Sequence, residues 1–515
     1  MYFVLSESQP LSRPRPICLA TPGGRIFIPE LLMLIFSEMV PKDLVSAALV
    51  CRAWSMASRM LWSTHEVPLS ALLRMMGFLA VEKTCAPGRM QHYGVASGSL
   101  EPIAWMTLIH RYSHIITRLR IESVLDESAL DILRQALDLY GDSLFLRLHS
   151  ITFDMSAMPD VSWKTNDVAT SMLKTILSPS PMEVQFERHE DDGRVVDICR
   201  SLASLCSHLT HLTLGTPRKV DSDYFTFSCH GFSDLKTLAI CDWRWEGWSA
   251  LGAPPGLEEI TITDSGVSER DDFGPQIPVT TLPSLRTLTI SLATLCRAAL
   301  LEAAMPALRS LTVSDLLETD GDISEAISER SPLLEHLDIR FAETCITSRM
   351  TMALSTLHSL RTLHLGGWTT LVELNDSDIT PLVRSLNHLE NLSIVLDVTE
   401  HGTRGIPKLT GSSFLAILHH CNVLKELNIQ LNLSKFSLVE AQLVTSVTPS
   451  ETLTQLTLSG SSLPPSDRLD RLPRDLAVCC RQIALLNIRG SNWTHVQEME
   501  FVGAFDRYQR LGAIS

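Results

Sequence analysis

The chain has 515 residues, 45% of them hydrophobic, and a formal net charge of −15. This apolar content excludes an intrinsically disordered chain, and the length exceeds what one ordinary compact core holds, unless the architecture is repetitive. The acidic balance, with no run of Lys or Arg, argues against nucleic acid as a partner. No stretch approaches the about 18 apolar residues of a membrane span, so that no membrane partner is expected either.

The twelve cysteines are scattered along the chain, without a Cys-x-x-Cys pair or the Cys/His spacing of a zinc site. The apolar run at residues 2–5 is too short for a signal peptide. We therefore expect reduced thiols, no metal, no cofactor and a cytoplasmic or nuclear location.

Residues 26–65 predict a short helical unit that follows a mobile leader at residues 1–25. Pro29 suits the first position of a helix, and Asp43 is a good N-cap for a second helix. The apolar side chains of residues 31–36 would surround the first helix on all sides, whereas a surface helix has a single apolar stripe. Because so small a unit cannot bury this surface alone, its surplus face needs a partner, either the rest of the chain or another protein.

The order of residues in this unit resembles an F-box, the module that docks a protein onto the Skp adaptor of a Skp–cullin–F-box ubiquitin ligase. Ile28 stands where the family prefers Leu, a change that keeps apolar volume. The positions in register are Pro29, Glu30, Leu31, Leu32, Ile35, Phe36, Asp43, Leu44, Val50, Cys51, Arg52, Trp54, Leu61 and Trp62. The resemblance implies contact with the Skp adaptor through Pro29, Leu31, Leu32, Ile35, Phe36, Leu44 and Trp54. Some of these side chains must instead hold the helices together, and the pattern does not separate the two groups.

Residues 66–114 are expected to form a helical linker. Apolar spacing predicts helices over residues 69–81 and 102–112, on either side of a loop that contains Gly, Ser and Pro.

Residues 115–490 repeat the unit apolar-x-x-apolar-x-apolar, which is the strand core of a leucine-rich repeat. It recurs thirteen times, from Ile116/Leu119/Ile121 to Ile483/Leu486/Ile488, and a degenerate copy surrounds Val184 and Phe186. Between the copies, helical spacing is found over residues 128–139, 195–205, 291–304, 351–357, 379–386 and 412–419.

These alternating units predict an α/β repeat fold, in which a leucine-rich-repeat solenoid follows the three-helix F-box. Its strands are parallel and line the concave side, and its helices lie on the convex side. A doubly wound sheet is the less suitable alternative, because no Gly-x-Gly-x-x-Gly follows a strand. The repeats resemble those of F-box proteins with divergent leucine-rich repeats, particularly fungal ones. Residues 491–515 are expected to form a capping helix, with an apolar stripe of Val496, Met499, Val502, Phe505 and Tyr508.

Binding residues are expected on the strands, at the positions between the inward-facing apolar residues. A row of Thr, including Thr362, is best explained by β-propensity. Later repeats carry a polar strip that either grips a protein substrate or is plain solvated surface. The strip consists of His336, Asp338, Arg340, His364, Asn391, Glu426, Asn428 and Gln430.

No catalytic signature is present, and His419-His420-Cys421 is better explained as a helix end than as a metal site. Together these features predict a non-catalytic substrate-recognition adaptor, bound to a Skp-type adaptor and through it to a cullin, with an unidentified protein substrate on the solenoid. The alternative is a scaffold or inhibitor outside any ligase, in which the F-box-like helices cap the solenoid.

Overall fold

A computed structural model describes the placement of part of the chain. The described residues are 32, 35–39, 47, 66–69, 79–81, 93–95, 115–122, 145, 147–154, 182–187, 202–203, 206, 208–215, 229, 231–241, 251–263, 280–291, 300, 303–316, 322–341, 345–367, 371–396, 408–435, 450–459, 461, 471–489 and 494–512.

One parallel sheet of fifteen strands runs through these residues, and each strand pairs with the next one along the chain. This order confirms the predicted solenoid of parallel strands. The strands are β1 (Val67–Pro68), β4 (Arg118–Glu122), β5 (Ser150–Asp154), β6 (Glu183–Glu187), β7 (His211–Leu214), β8 (Thr237–Cys241), β9 (Glu259–Thr263), β11 (Thr287–Ser291), β13 (Ser310–Leu316), β14 (His336–Phe341), β16 (Thr362–Gly367), β18 (Asn391–Leu396), β19 (Glu426–Ile429), β20 (Gln455–Ser459) and β21 (Leu485–Arg489). The degenerate copy around Val184 is therefore a true repeat.

Six further strands form three small sheets beside the main one. The strands β10 (Thr280–Thr281) and β12 (Ala303–Ala304) pair in parallel, as do β15 (Cys345–Ile346) and β17 (Leu371–Val372). The strands β2 (Leu79–Val81) and β3 (Tyr93–Val95) pair in antiparallel fashion.

The prediction of a helical linker over residues 66–114 is confirmed only at Leu69, which is helical, and is wrong at the three strands that the structure describes there. Residues 67–68 already form the first strand of the solenoid, which pairs with β4 through Val67 and Leu119. Pro68 is tolerated in this strand because β1 is the edge of the sheet, where a missing N–H breaks no ladder. The Leu79–Val81 end of the predicted helix 69–81 is also a strand, and residues 102–112 lie outside the described part of the chain.

Helices follow the later strands. Three of the predicted helices are confirmed by α2 (Ser348–Leu354), α3 (Asp376–Ser385) and α4 (Gly411–His420). The prediction over 291–304 is wrong at its ends: Ser291 ends β11, and Ala303 and Ala304 form β12. Of the predicted helix 195–205 only Leu202 and Ala203 are described as helical, and 128–139 lies outside the described residues. The helices with described bounds are α1 (Asp322–Arg330), α2 (Ser348–Leu354), α3 (Asp376–Ser385), α4 (Gly411–His420), α5 (Leu472–Cys479) and α6 (His495–Gly512); a 3₁₀ turn spans Leu433–Lys435.

The predicted capping helix is α6, which packs against α5 at the end of the sheet. Its buried face is narrower than the predicted stripe. Phe501 and Phe505 are buried, whereas Val496 and Met499 are more than half exposed. The first turn of α6 therefore does not contribute to the cap.

The apolar positions of the repeats form a single continuous core. Eleven described units have a fourth buried position, three residues before the first apolar residue of the triad, whereas the unit of Leu257 has the half-buried Pro254 there. The backbone turns there, as where the N–H of Leu424 donates to the carbonyl of Cys421 and that of Leu360 to Leu357. The buried residues at this position are Phe145, Cys206, Phe232, Leu282, Met305, Ser331, Leu357, Leu386, Cys421, Ser450 and Cys480.

Backbone groups at the strand starts are satisfied by hydrogen bonds between successive repeats. One carbonyl accepts the N–H groups of two successive residues of the next repeat. The Arg361 carbonyl accepts from Glu390 at 2.7 Å and from Asn391 at 3.0 Å, and the Glu390 carbonyl accepts in the same way from Lys425 and Glu426. This pattern continues from Thr117 to Ala484, so that each strand is aligned by the one before it.

Ion pairs run along the same strand-start positions. Glu390 accepts from Arg361 at 2.8 Å and from Lys425 at 2.5 Å. The hydrogen bond from Lys425 has the larger effect and that from Arg361 the smaller one, and together they hold the pKa of the Glu390 carboxyl below its usual range. Within the strands, Arg120 in the middle of β4 pairs with Glu66 at 3.3 Å and with Glu187 at the end of β6 at 2.5 Å, and thereby links the residue before β1 to the sheet.

Asp376, at the start of α3, connects this helix to the N-terminus of α4. Its carboxylate accepts hydrogen bonds from the Thr410 backbone N–H at 2.8 Å, the Thr410 hydroxyl at 2.6 Å and the Ser413 hydroxyl at 2.5 Å. Thr410 is also the N-cap of α4, where a negative charge is favourable. One side chain thus fixes the spacing between two neighbouring repeats.

We predict that Asp376→Ala destabilises the solenoid by about 2 kcal/mol, because the buried Ser413 hydroxyl loses its acceptor. Urea unfolding, followed by circular dichroism, measures the change. The control is Asp378→Ala in the same turn, which removes only the bond from the Asn375 N–H and is expected to cost about 1 kcal/mol or less. Equal effects of the two substitutions would contradict the role given to Asp376.

Of the six cysteines whose side chains the structure describes, five are buried and all six are free thiols. Burial raises the pKa of the thiols of Cys206, Cys229 and Cys421 from 9.0 to about 12. The Cys421 thiol lies 3.9 Å from the Val383 carbonyl and 3.8 Å from the Leu386 carbonyl, inside the core. These thiols serve as small apolar side chains.

Because the pKa of these thiols is higher in the folded chain than in the unfolded chain, their contribution to stability is complete below pH 9 and is lost as the pH rises from 9 towards 12. Each thiol removes about 1.4 kcal/mol per pH unit in this window. We expect the urea midpoint to fall steeply above about pH 9. It should fall less steeply in Cys421→Ala, and an identical pH dependence in that variant would contradict the burial of this thiol.

Candidate protein-binding surfaces

Two surfaces correspond to the residues predicted to bind partners. The first is the F-box-like segment that precedes β1. The second is the open face, which we define as the side of the main sheet opposite the helices, over β14, β16, β18 and β19.

In the F-box-like segment the described residues divide between core and surface. Leu32 is 7% exposed and Phe36 is fully buried, and both belong to the same apolar core as the strands. Ile35, on the same helical turn, is 50% exposed. The structure therefore assigns Leu32 and Phe36 to the core, contrary to the expectation that they face an adaptor, because spacing of four residues puts both on one side of the helix. Pro29, Leu31, Leu44 and Trp54 lie outside the described residues.

On the open face the strand register arranges side chains in rows. His336, Thr362, Asn391 and Glu426 are successive partners in the first row. Asp338, His364, Ser393 and Asn428 are successive partners in the second row. Seven of the eight predicted binding residues thus lie together on four neighbouring strands.

Short contacts join members of these rows. The Arg340 guanidinium donates to the two Asp338 carboxylate oxygens at 3.5 and 3.3 Å, and His364 Nε2 lies 3.8 Å from the same carboxylate. In the first row, His336 Nδ1 lies 3.1 Å from the Thr362 hydroxyl, to which Asn391 donates at 3.4 Å. The side chains of Arg340, Asp338 and His364 are each at least a quarter exposed, so that their ion pairs order the surface but add little stability.

Gln430 does not belong to this surface. It follows the last residue of β19 and is only 4% exposed. The alternation of exposed and buried side chains ends with β19 at Ile429. The prediction that Gln430 lies on the binding surface extended this alternation one position too far.

Sequence reasoning also missed positions on the open face. Thr362 was assigned to β-propensity, yet it joins His336 to Asn391. Ser393 and Gly366 were not singled out, although both occupy alternate strand positions. The Ser393 hydroxyl and the Asn428 side-chain oxygen are buried, and neither has a hydrogen-bond partner in the described part of the chain.

Gly366 allows two neighbouring groups to lie close to the β16 backbone. A Cβ at this position would lie 2.9 Å from the Val395 carbonyl oxygen and 3.1 Å from His364 Nε2. Only glycine permits the present position of the His364 ring between Asp338 and the next strand.

The His419-His420-Cys421 sequence is the end of α4, as predicted. The two rings lie edge to face at 4.8 Å, whereas Cys421 is buried in the core. Desolvation and the neighbouring His419 lower the pKa of His420. Among the described residues no three His, Cys, Asp or Glu side chains are grouped to hold a metal ion. In the same residues no helix is long and apolar enough to cross a membrane.

Comparison with known proteins gives one family and several structures. Residues 29–66 match the family described as F-box-like. No curated protein matches the chain. Similar solved structures include CroV588, a circular leucine-rich-repeat protein, with 14% identity, a TM-score of 0.37 and coverage of 73% of this chain and 50% of that one. This chain therefore spans half the length of CroV588.

Two further structures are similar to a comparable extent. One is the complex of Rad7 and Elc1 in yeast, with 14% identity, a TM-score of 0.33 and coverage of 72% of this chain and 87% of that one. The other is the glycosylated Toll–Spatzle complex of Drosophila, with 12% identity, a TM-score of 0.29 and coverage of 76% and 60%.

The chain thus combines an F-box-like domain with a solenoid of the leucine-rich-repeat type. The family match confirms the F-box resemblance, and the fifteen-stranded parallel sheet confirms the repeat fold.

We predict that Gly366→Ala destabilises the chain by about 1–3 kcal/mol, because the added methyl group must displace the Val395 carbonyl or the His364 ring. The urea midpoint measures this change. Gly503→Ala in α6 is the matched control: its Cβ would meet nothing within 4 Å, and we expect it to stabilise the helix by up to about 1 kcal/mol. A neutral Gly366→Ala would show that the close approach is not a constraint.

Proposed function

We propose that this protein is a substrate-recognition adaptor of a Skp–cullin–F-box ubiquitin ligase. The F-box-like domain at residues 29–66 supports the proposal most directly. The domain docks the chain onto a Skp-type adaptor, and through it onto a cullin, while the solenoid binds a protein substrate.

Ile35 is the docking contact that the geometry favours. It is a large apolar side chain that is half exposed, directly beside Phe36, which is fully buried. Phe36 and Leu32 therefore anchor the helix to the chain, and this anchoring leaves Ile35 on the outer side. An exposed apolar residue on an anchored helix is suited to the centre of an interface. Pro29, Leu31, Leu44 and Trp54 complete the proposed contact surface.

The contribution to catalysis in this proposal is proximity. In this proposal the chain supplies no catalytic residue and places the substrate near the ubiquitin-charged enzyme that the same cullin carries. Holding two reactants on one scaffold removes the entropy loss of a bimolecular encounter.

The open face is the proposed substrate surface. His336, Asp338, Arg340 and His364 supply donors and acceptors at fixed spacing, and Asn391, Glu426 and Asn428 extend the same rows. Their mixed charge is suited to a folded partner or an extended peptide with polar side chains, and it gives specificity more than affinity.

A second candidate is a scaffold or inhibitor that acts outside any ligase. The burial of Leu32 and Phe36 in the same core as the strands favours it, because the F-box-like helices then serve as the N-terminal cap of the solenoid. The two functions differ in whether the outer side of these helices binds a Skp-type adaptor.

Ile35→Glu tests the docking role. A charge at an exposed position leaves the fold intact but introduces an unpaired carboxylate into an apolar interface. We expect wild-type chain to capture a purified Skp-type adaptor stoichiometrically, and Ile35→Glu to reduce capture by about tenfold or more.

Met352→Glu is the matched control for this experiment. Met352 is an exposed apolar residue of α2, distant in sequence from the F-box-like domain, and its substitution should leave capture unchanged. Circular dichroism verifies that both variants are folded. Absence of capture by folded wild-type chain would exclude the adaptor function and favour the scaffold.

A further inference from the structure

A groove lies where the first repeats begin, outside the open face. Its volume is about 480 Å³, which is within the range of binding sites for small molecules and short peptide segments. It lies at the starts of β4, β5 and β6. The residues that line it are Thr117, Arg118, Arg147, Leu148, His149 and Met182.

The groove is basic, although the chain as a whole is acidic. Arg118, Arg147 and His149 are exposed in it, and among the described residues that line it none carries a negative charge. Neither arginine has a carboxylate partner in the described part of the chain. Arginines elsewhere on the sheet are commonly paired, as Arg361 is with Glu390 and Arg340 with Asp338. Two unpaired guanidinium groups in one groove attract an anion.

Four backbone N–H groups at the groove are already used within the sheet. The N–H groups of His149 and Ser150 both donate to the Thr117 carbonyl, and those of Met182 and Glu183 both donate to the His149 carbonyl. Phosphate sites in proteins often rely on several converging backbone N–H groups. Here the available donors are side chains, and each guanidinium is a fork that fits one carboxylate in bidentate geometry.

Apolar surface lies between the charged groups. Leu148 is buried beneath the groove, and Met182 is 45% exposed at its wall. A ligand that fits both features carries carboxylates and at least one apolar side chain, as a segment of protein rich in Asp and Glu does.

We propose that this groove binds an acidic peptide segment of the protein substrate, with Arg118 and Arg147 each holding a carboxylate and Met182 contacting an apolar side chain. The groove thereby provides a second recognition point, on the strand-start edge of the sheet, in addition to the open face. The proposal rests on the proposed adaptor function for the identity of the ligand as a substrate, but peptide binding itself is measured without any ligase component.

Fluorescence anisotropy of the full chain with a short labelled peptide, rich in Asp and Glu and containing one Leu, tests the proposal. We expect saturable binding that weakens as salt is raised. It should become about tenfold or more weaker in the double variant Arg118→Ala/Arg147→Ala. A peptide with Asn and Gln in place of the acids should not bind.

The matched control is Arg286→Ala, an exposed arginine at the start of β11, which should leave peptide binding unchanged. A charge-reversed chain, Arg118→Glu/Arg147→Glu, should instead bind a lysine-rich peptide. Both arginines are exposed, so that circular dichroism spectra should match that of the wild-type chain.

Three results would overturn the inference: equal affinity of the acidic peptide for the wild-type chain and the double alanine variant, equal affinity for the neutral peptide, or binding of a phosphoserine peptide alone. Loss of Skp-adaptor capture in the double alanine variant would also overturn it, because the groove would then serve the adaptor. Capture without peptide binding removes this inference alone, whereas peptide binding without capture removes the ligase function and leaves the groove as a peptide site of a scaffold.

Discussion

The hydrogen bonding between consecutive strands is the constraint on which the rest of the structure depends. Each strand-start carbonyl accepts two N–H groups from the next repeat, and the pattern continues across the sheet from Thr117 to Ala484. Because the bonds are backbone to backbone, they do not require a particular side chain at the turn. The repeats therefore keep one register although their strand-start side chains differ, and these side chains remain available for ion pairs and for the basic groove.

Both proposed binding surfaces follow from this register. On the open face it aligns His336 with Thr362 and Asp338 with His364, so that residues separated by 26 positions in the sequence become neighbours on paired strands. At the strand starts the same alignment places Arg118, Arg147 and His149 around one groove. The F-box-like segment is anchored by different means, through Leu32 and Phe36 in the core and through the Glu66–Arg120 pair. The proposed adaptor surface and the proposed substrate surfaces are therefore separate parts of one chain.

The sequence was sufficient for the fold, because each repeat carries its own periodic signal. All thirteen triads coincide with strands of the sheet, and the burial of Leu, Ile and Val at their positions follows directly. The signal failed where periodicity is ambiguous: residues 79–81 are a strand although their spacing suited a helix, and Val67–Pro68 is too short to be recognised as a strand. The proposed binding residues were less predictable. Leu32, Ile35 and Phe36 are all apolar and adjacent, and only packing separates the exposed one from the buried two. The basic groove combines residues from three repeats, none of which carries a motif.

The number of residues between successive repeats indicates where this chain tolerates insertions and deletions. From Leu209 onward the repeats begin 22–35 residues apart, yet the strands keep one register. Insertions in the connections are therefore absorbed on the helical side, since lengthening a loop costs little free energy. A single-residue insertion or deletion inside a strand has the opposite effect, because it exchanges the two faces of that strand and turns leucines outward. Variation in chain length should accordingly be confined to the connections. The open face should keep one geometry whatever the length of these connections.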